Sequence, residues 1–342
     1  MNVSNRSLEA RAWPEVTPLE SALIERIKSD GPLSVEAYME ACNSFYYATR
    51  DPFGVRGDFT TAPEINQMYG ELIGAALADC WNRAGRPEGV RYAELGPGRG
   101  TLASDALRVM RAAGCEPTSV EFVETSPVLR AAQSDAVPDA IFRDEISELA
   151  NGEGPLLIVA SEFFDALPVQ QYVNGLERRI ERIGGHFAFD RDGEIIEKSP
   201  AREGAMAALA QVLIAKGGTA IVVDYGYASG TGESLQAVGG HKFASPLEKP
   251  GERDLTAHVD FPALATAASN AGAAVSRPAS QGTWLETLGI GGRAMALAAK
   301  NPEQAETIGA ARRRLCDEEA MGRLFKVIAV ASPNWPLPAG LQ

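Results

Sequence analysis

Apolar runs of strand length alternate with helical patterns between residues 90 and 224, and this alternation constrains the fold most. The strand-like runs are Arg91–Leu95, Val120–Glu124, Ala140–Arg143, Leu156–Ser161 and Thr219–Asp224. Helical patterns lie between them, for example over residues 102–113 and 128–133. Strands that are buried on both faces and joined by helices form a parallel sheet. The sequence therefore predicts an α/β fold with a mainly parallel, Rossmann-like sheet, within a domain spanning residues 87–332.

The segment before this domain, residues 1–86, has a different pattern and is predicted to be a helical N-terminal extension. Thr17-Pro18-Leu19-Glu20 forms a capping box before one helix, and Ser34 caps a second. A third helix is predicted from about Ile65 to Ala84, which ends before Gly85 and Pro87. A loop is predicted at 50–64, between the last two helices.

Two further segments interrupt or follow the alternating pattern. Residues 169–214 are predicted to form antiparallel hairpins followed by a helix, because Gly175, Gly184-Gly185 and Asp192-Gly193 punctuate a charged, alternating stretch. Residues 227–292 are rich in Gly, Ser and Pro and are predicted to form loops and short helices on the substrate side of the sheet. A last strand is predicted at Leu324–Ala331, followed by a tail at 333–342.

Composition excludes several classes of protein. The 342 residues include 32 basic and 45 acidic side chains, a net charge of −13 without a basic run, which argues against a nucleic-acid partner. An acidic surface aids solubility and also suits a cationic substrate. No apolar run approaches the roughly 18 residues that span a bilayer, so no membrane association is expected. The N-terminus lacks an apolar signal core, and we expect a cytoplasmic location.

Cysteine and histidine positions give no metal signal. Cys42, Cys80, Cys115 and Cys316 are far apart and form no CxxC pair, which is typical of reduced thiols. The three histidines are His186, His241 and His258, and they have no metal-ligand spacing. We therefore predict no metal.

Three glycines, Gly96, Gly98 and Gly100, follow the strand at 91–95 and precede a helix. Such a turn lets main chain approach a ligand, and the helix N-terminus offers free N–H groups. A tight turn that serves packing alone is the alternative. The dinucleotide fingerprint GxGxxG requires a third glycine at position 101, where this chain has Thr101. We include Pro97 and Thr101 with the glycines in the predicted cofactor site.

Acidic residues beside the turn indicate which cofactor binds. Glu94 is a poor neighbour for a pyrophosphate and a good one for a cationic amino-acid moiety, which favours S-adenosylmethionine over NAD. Glu124 ends the next strand, where an acid can accept both ribose hydroxyls. We place Thr125 beside it, and Asp144 at the adenine edge. For Glu124 and Asp144, a solvated strand-end carboxylate is the alternative.

Several stretches together resemble the MidA family. They are GDFTTAPEINQMYGELIG (57–74), ELGPGRGTL (94–102), VETSPVLRAAQ (123–133), SEFFDALPVQQY (161–172), VVDYG (222–226), LTAHVDF (255–261) and GRLFKVIA (322–329). The family consists of S-adenosylmethionine-dependent class I methyltransferases, including a mitochondrial complex I assembly factor that methylates a protein arginine. The resemblance covers residues 17–331 and implies the class I methyltransferase form of the Rossmann-like sheet. It also implies that the loop at 57–64, with Thr61 and Pro63, folds over the cofactor; Thr61 with Glu64 alternatively forms a capping box.

This sequence departs from the family pattern on the side expected to face the substrate. Ser161 replaces the asparagine that usually begins the Asn-Glu-Phe-Phe-Asp-Ala-Leu-Pro motif. A His-Pro pair and a glycine are missing before Tyr46-Tyr47, and Gly239-Gly240 replaces basic residues.

Glu162 and Asp165 follow the fourth parallel strand, where loops at the carboxyl ends of strands form the ligand crevice. A carboxylate there can hold a guanidinium bidentately and polarise one nitrogen toward an in-line methyl transfer. Helix capping is the alternative for Asp165. His258 is a further candidate in the acceptor pocket, with a structural hydrogen bond as its alternative, and Tyr225 could also reach that pocket.

These observations favour a methyltransferase that uses S-adenosylmethionine, with protein arginine N-methylation as the first reading. A small-molecule O- or N-methyltransferase is the second, and a non-catalytic assembly factor with the same fold is a third. The methyl acceptor is expected to be a protein or a small molecule, and a homodimer is a candidate assembly.

Overall fold

The computed structural model describes residues 17–50, 60–228, 232–239 and 242–341. Its α-helices within these ranges are α1 (Pro18–Asp30), α2 (Val35–Thr49), α3 (Ala62–Ile65), α4 (Met68–Arg83), α5 (Thr101–Ala112), α6 (Pro127–Ala136), α7 (Pro200–Lys216), α8 (Phe261–Asn270), α9 (Gln281–Thr287), α10 (Ile290–Lys300) and α11 (Ala305–Cys316). Short 3₁₀ segments lie at Ile146–Asn151 and Pro302–Gln304, and a π-helical turn lies at Glu318–Gly322.

The strands, numbered in chain order over the same ranges, are β1 (Leu33–Ser34), β2 (Arg91–Leu95), β3 (Val120–Val123), β4 (Ile141–Arg143), β5 (Leu156–Ser161), β6 (Gln170–Val173), β7 (Leu176–Glu177), β8 (Arg179–Ile183), β9 (His186–Phe189), β10 (Ile195–Lys198), β11 (Gly218–Tyr227), β12 (Gln236–Gly239), β13 (Lys242–Ala244), β14 (Asp254–Thr256), β15 (Val259–Asp260), β16 (Ala274–Val275), β17 (Ala279–Ser280) and β18 (Phe325–Ala331).

The central sheet has the order β16–β18–β11–β5–β2–β3–β4. Strands β4, β3, β2, β5 and β11 are parallel to one another, and β18 runs antiparallel beside β11. Every residue of β2 and of β5 is buried, as expected for strands that are covered on both faces. The predicted α/β class with a mainly parallel Rossmann-like sheet is therefore confirmed.

Helices cover both faces of this sheet. On one face, α4 and α5 pack on Tyr92 and Phe122, and they approach closely where Gly74 meets Ala106. A Cβ on Gly74 would lie 2.5 Å from the Ala106 carbonyl oxygen, so only glycine fits there. On the other face, α7 and α8 cover the β5 side chains, including Ile158. The two layers fix the carboxyl ends of the parallel strands at one edge of the molecule.

A smaller hydrophobic cluster forms from α1, α2 and the antiparallel strands, with Tyr38, Met39 and Ile180 fully buried in it. The predicted hairpins between residues 170 and 196 are present, since β6 pairs with β7 and with β10, and β8 pairs with β9. Thr17 caps α1 as predicted, because its hydroxyl accepts the Glu20 N–H at 3.0 Å, which is one of the two bonds of a capping box. The proposed domain boundaries at 86 and 332 stay predictions.

The helix predicted from about Ile65 to Ala84 is α4, which begins at Met68; a separate short helix, α3, lies directly before it and ends at Ile65. Asn66 has extended dihedrals, φ −168° and ψ 146°, and its side-chain oxygen accepts the Met68 N–H at 3.1 Å. This local bond competes with the helical pattern and begins a new helix at Met68. The break lets α3 turn toward the sheet edge while α4 packs along α5.

We expect Arg91→Met to lower the free energy of unfolding by about 3 kcal/mol, because it breaks a buried ion pair. Arg91 is 3% exposed and donates to Glu121 Oε1 at 2.7 Å and to the Leu149 carbonyl at 3.0 Å. Urea unfolding of the variant and the wild-type protein measures the loss. Arg143 also pairs with Glu121 but is more exposed, so Arg143→Met is the matched control with a loss of about 1 kcal/mol. Equal losses would contradict this ranking.

Candidate functional site

The glycine turn between β2 and α5 consists of main chain in the left-handed region. The φ angles of Gly96, Gly98 and Gly100 are +60°, +57° and +80°. Gly96 donates to the Val123 carbonyl at 3.0 Å, which fastens the turn to β3. A Cβ on Gly96 would lie 2.9 Å from the Phe163 ring. Side chains other than hydrogen are therefore strained here, and the turn presents bare backbone.

The turn borders a cleft of about 880 Å³ at the carboxyl ends of the parallel strands. Gly96, Gly98 and Thr125 are among its lining residues. The lining side chains also include six carboxylic acids and, among the described residues, no Lys, Arg or His; the acids are Glu36, Glu40, Glu124, Asp144, Glu145 and Glu162. Such a cleft favours cationic ligands.

Glu124 lies at the end of β3 and faces the cleft. Its Oε1 accepts the Ser126 N–H at 2.7 Å, and its Oε2 accepts a bond of 3.2 Å from Gln133 Nε2. The same Gln133 nitrogen donates to the Gly98 carbonyl at 2.8 Å, so one side chain joins the acid to the glycine turn. Burial raises the pKa of Glu124. Nothing in the sequence reasoning had singled out Gln133, which α6 places here.

Asp144 lies at the far end of the cleft, after β4. Its side chain is exposed and pairs with Arg130 at 2.7 Å, and the Arg130 guanidinium lies 5.3 Å from the centre of the Phe142 ring. Because β4, β3 and β2 are neighbours in the sheet, Asp144, Glu124 and the glycine turn follow one another along its edge, in the order of the predicted contacts with adenine, ribose and the amino-acid moiety.

Glu94 lies in the sheet behind the glycine turn and is 2% exposed. The Tyr92 hydroxyl donates to its Oε2 at 2.8 Å, and burial raises the pKa of Glu94 to about 8. Pro97 and Thr101 belong to the turn and the start of α5. Both residues bond other parts of the protein. The Pro97 carbonyl accepts the Gly100 N–H, and the Thr101 hydroxyl donates to Glu64 at 2.6 Å.

Glu162 lines the cleft directly after β5 and has an unusual backbone. Its φ is +54°, a conformation that a residue with a side chain rarely adopts. Its Oε1 accepts the Ala62 N–H at 2.8 Å, and burial raises its pKa to about 8. Strained backbone clusters at active sites and ligand clefts, so Glu162 is a candidate functional residue.

Asp165 lies beneath the cleft and is 5% exposed. Its own N–H donates to Asp224 Oδ2 at 3.1 Å, the Phe164 N–H donates to the same oxygen at 2.9 Å, and the Tyr225 N–H donates to Oδ1. The Tyr225 side chain bonds the Asp165 carboxyl, and burial raises the pKa of both aspartates. No α-helix begins at Asp165, since the next element of the chain is the strand β6, so Asp165 does not act as the helix cap that was its alternative role.

His258 is not brought to the cleft. Its ring packs against Tyr225 at 5.5 Å and Tyr227 at 4.9 Å between centroids, and it lines a second cavity of about 400 Å³ with Lys326. Burial lowers the pKa of His258. Its connection to the site is indirect, through Tyr225 to Asp165.

Thr61 and Pro63 lie at the start of α3, next to Glu162. The Thr61 side chain makes no capping hydrogen bond, and Glu64 bonds Thr101 instead of completing a capping box. The remaining part of the predicted lid, residues 57–59, lies outside the described residues. Helix α3 thus contacts both Glu162 and the first turn of α5.

Helix α2 supplies one wall of the cleft that the sequence reasoning did not assign. Asn43, Ser44 and Tyr47 line it. Asn43 Nδ2 donates to the Ala166 carbonyl at 2.9 Å and the Leu255 carbonyl at 2.7 Å, so it joins α2 to the loop after β5. An asparagine on the apolar face of a predicted helix was the available signal, since a buried amide requires partners.

A parallel sheet that ends in a bare glycine turn, with an acid after the next strand, forms a nucleotide-type site, and its acidic lining suits the cationic donor S-adenosylmethionine. The chain belongs to the family described as "Putative S-adenosyl-L-methionine-dependent methyltransferase", whose model matches residues 72–187 and 173–279. The predictions of a methyltransferase enzyme and of S-adenosylmethionine as its methyl donor are thereby confirmed.

Relatives match along nearly the whole chain. A Drosophila melanogaster protein named protein arginine methyltransferase NDUFAF7 homolog, mitochondrial, is 32% identical over 91% of this chain and 84% of its own length. The Homo sapiens protein named protein arginine methyltransferase NDUFAF7, mitochondrial, is 29% identical over 95% of this chain and 86% of its own length. The prediction of a cytoplasmic location is wrong, because these relatives are named mitochondrial.

Solved structures agree with the fold. A Burkholderia thailandensis protein bound to S-adenosyl-homocysteine superposes with a TM-score of 0.80 at 26% identity, over 92% of this chain and 91% of that one. A native structure from the same organism gives 0.78 at 25% identity, over 95% and 92%. These likenesses agree with the class I methyltransferase form of the sheet.

None of the helices in the described ranges has the length and apolar character that spanning a bilayer requires. Nor do those residues contain a group of three or more His, Cys, Asp or Glu side chains arranged to hold a metal ion.

We expect the wild-type protein at pH 7 to release about one proton from Glu94 when it binds S-adenosylmethionine. With a pKa of about 8 the free carboxyl is mostly protonated, and a nearby cation favours its ionised form. Affinity should therefore rise with pH between 6 and 8 and then level. Calorimetric titration in buffers of different ionisation enthalpy counts the protons. Any proton that the donor's own amino group exchanges is the same for the wild-type protein and for Glu94→Gln. Equal proton release by the two proteins would therefore exclude Glu94 as the source.

Proposed function

We propose that this methyltransferase transfers its methyl group to an arginine side chain of a protein, as its resemblance to the MidA family suggests. The observation that carries the proposal is the cleft with six carboxylic acids and no basic residue among its described lining. An acidic cleft suits a sulfonium donor and a guanidinium acceptor together. The names of the relatives, protein arginine methyltransferases, support the same acceptor.

The donor half of the cleft has groups that fit S-adenosylmethionine, which supplies a methyl group already activated on its sulfonium. A Cβ on Gly96 would collide with Phe163, so the turn presents bare main chain at this position. We assign the main chain of Gly96 and Gly98 to the amino-acid moiety of the donor. All three of Glu124, Thr125 and Asp144 line the cleft. We assign Glu124 to the ribose hydroxyls, and Thr125 and Asp144 to the adenine end. We also assign Thr61 and Pro63 to the donor site, because α3 contacts the cleft residue Glu162 through the Ala62 N–H.

Glu162 is assigned to the acceptor. It lies at the cleft wall, and a carboxylate there holds the guanidinium in line with the methyl group. In the free protein its pKa is about 8, close to neutral pH, which suits a group that ionises when a cation arrives and later accepts its proton. Asp165 supports it from beneath by adding negative charge. We assign His258 to a supporting role through Tyr225, and a homodimer stays a prediction.

A transfer experiment tests the acceptor. Wild-type protein is incubated with tritiated S-adenosylmethionine and cell extract, and the products are separated into protein and small-molecule fractions. We expect label in protein, released on acid hydrolysis as methylarginine, and none with a Gly98→Val variant that cannot bind the donor. Label confined to the small-molecule fraction would support the alternative, a small-molecule methyltransferase. Label on an amino acid other than arginine would show that arginine is not the acceptor.

A further inference from the structure

Arg202 lies in the first turn of α7 and is buried at 4% exposure. Its guanidinium donates to three main-chain carbonyls: that of Asp165 at 2.9 Å, that of Ala257 at 2.9 Å and that of His258 at 2.7 Å. Two of these carbonyls belong to the segment before β15 and the third to the loop after β5. One side chain therefore joins the two loops below the acceptor end of the cleft.

The charge of Arg202 is balanced through space. A buried guanidinium is costly unless negative charge lies close to it. The aspartates at 165 and 224 provide that charge, and Arg202 in turn lowers the pKa of each carboxyl against the effect of burial. Its Nε has no hydrogen-bond partner in the part of the chain that the structure describes. The guanidinium and the two aspartates thus form one electrostatic unit.

This unit holds the peptide that carries the assigned acceptor residue. Asp224 accepts the N–H groups of Phe164 and Asp165, and Arg202 donates to the carbonyl of Asp165. The backbone is thereby fixed from both sides, within three residues of Glu162. In-line transfer loses rate steeply when a group is displaced by about 1 Å, so such anchoring bears on the reaction.

We propose that Arg202 is a positioning residue for methyl transfer, which fixes the loop from Glu162 to Asp165 through its main-chain hydrogen bonds and places a positive charge close to Asp165 and Asp224. The loop's importance rests on the function proposed above, whereas the charge and anchoring roles can be measured without any methyl acceptor.

The experiment compares Arg202→Met, which removes charge and donors, with Arg202→Lys, which keeps the charge. The protein is labelled with ¹³C in its aspartate carboxyl carbons, the Asp165 signal is assigned with Asp165→Asn, and each protein is titrated with pH. Hydrogen exchange of residues 162–168 and calorimetric affinity for S-adenosylmethionine complete the measurements. Arg178→Met is the matched control, because Arg178 is also 4% exposed but bonds Gln171 and Glu233 elsewhere.

We expect Arg202→Met to raise the midpoint of the Asp165 titration by about one pH unit or more, since a neighbouring cation is lost. Exchange over 162–168 should accelerate about tenfold while donor affinity stays within about threefold. Arg178→Met should lower stability without moving the midpoint. A folded Arg202→Met protein with the wild-type midpoint would overturn the proposal.

If Arg202→Met does not fold, the lysine variant decides. A lysine cannot reproduce the fork that binds three carbonyls, so exchange over 162–168 should still accelerate while the Asp165 midpoint stays near its wild-type value. Wild-type exchange in Arg202→Lys would then refute the anchoring role. None of these measurements uses a methyl acceptor. If the transfer assay shows that protein arginine is not the substrate, the role proposed for Arg202 can still be confirmed or refuted.

Discussion

Gly98→Val is expected to abolish binding of S-adenosylmethionine, with a loss of affinity of at least about 100-fold, or about 2.7 kcal/mol. Gly98 has a φ of +57° and lines the cleft. A β-branched residue at this φ is strongly disfavoured, so the turn must change shape or the side chain must occupy ligand space. Calorimetric titration of the purified variant measures the effect.

Gly114→Val is the control for strain alone. Gly114 has a φ of +79° just after α5, and an added Cβ meets no atom within 4 Å. This variant should lose stability but bind the donor normally. Wild-type affinity in Gly98→Val, or an equal loss in both variants, would show that the bare turn does not hold the donor.

Glu162→Gln is expected to bind S-adenosylmethionine within about threefold of wild type and to lose methyl transfer by at least about 100-fold. The glutamine oxygen can still accept the Ala62 N–H, so the contact with α3 is kept and the charge alone is removed. Transfer is measured as tritium that moves from labelled S-adenosylmethionine to the protein fraction of the cell extract. Glu40→Gln removes another carboxylate of the same cleft and should have a small effect.

The pH dependence follows from the raised pKa of Glu162. In the free protein this pKa is about 8, and only the ionised form holds a guanidinium. At saturating donor the bound cation lowers the pKa, so transfer should rise with pH and level at or below about pH 8. The rising limb should disappear in Glu162→Gln. If Glu162→Gln keeps both the rise with pH and the wild-type transfer rate, Glu162 has no part in the mechanism.

Strands with strong burial signals could be located from the sequence. The predicted bounds of β2 and β5 match the structure because both strands are covered on both faces and each ends at a clear signal, the glycine turn after β2 and Glu162 after β5. The glycine turn and Glu124 could be placed for a related reason. The carboxyl ends of parallel strands converge at one sheet edge, so residues at those ends become neighbours without any long-range information.

Other parts of the site depend on contacts that a local pattern does not encode. Thr61 and Glu64 fit a capping box, yet Glu64 bonds Thr101, which is 37 residues away in the sequence. Asp165 and Glu162 both follow the fourth parallel strand, so the sequence predicted that both face the ligand crevice. Asp165 instead lies beneath the cleft, where its N–H bonds the Asp224 carboxylate. Arg202 looked like an ordinary residue in the first turn of a helix, because its three acceptors are main-chain carbonyls of other segments.

The left-handed backbone of Glu162 has a consequence for directed evolution of this enzyme. A glycine or asparagine adopts a φ of +54° at lower energetic cost than glutamate does. Libraries selected for heat resistance alone should therefore enrich glycine or asparagine at this position and yield sturdier but inactive proteins. Stabilising campaigns on this scaffold should keep codon 162 invariant and seek their gains far from the cleft.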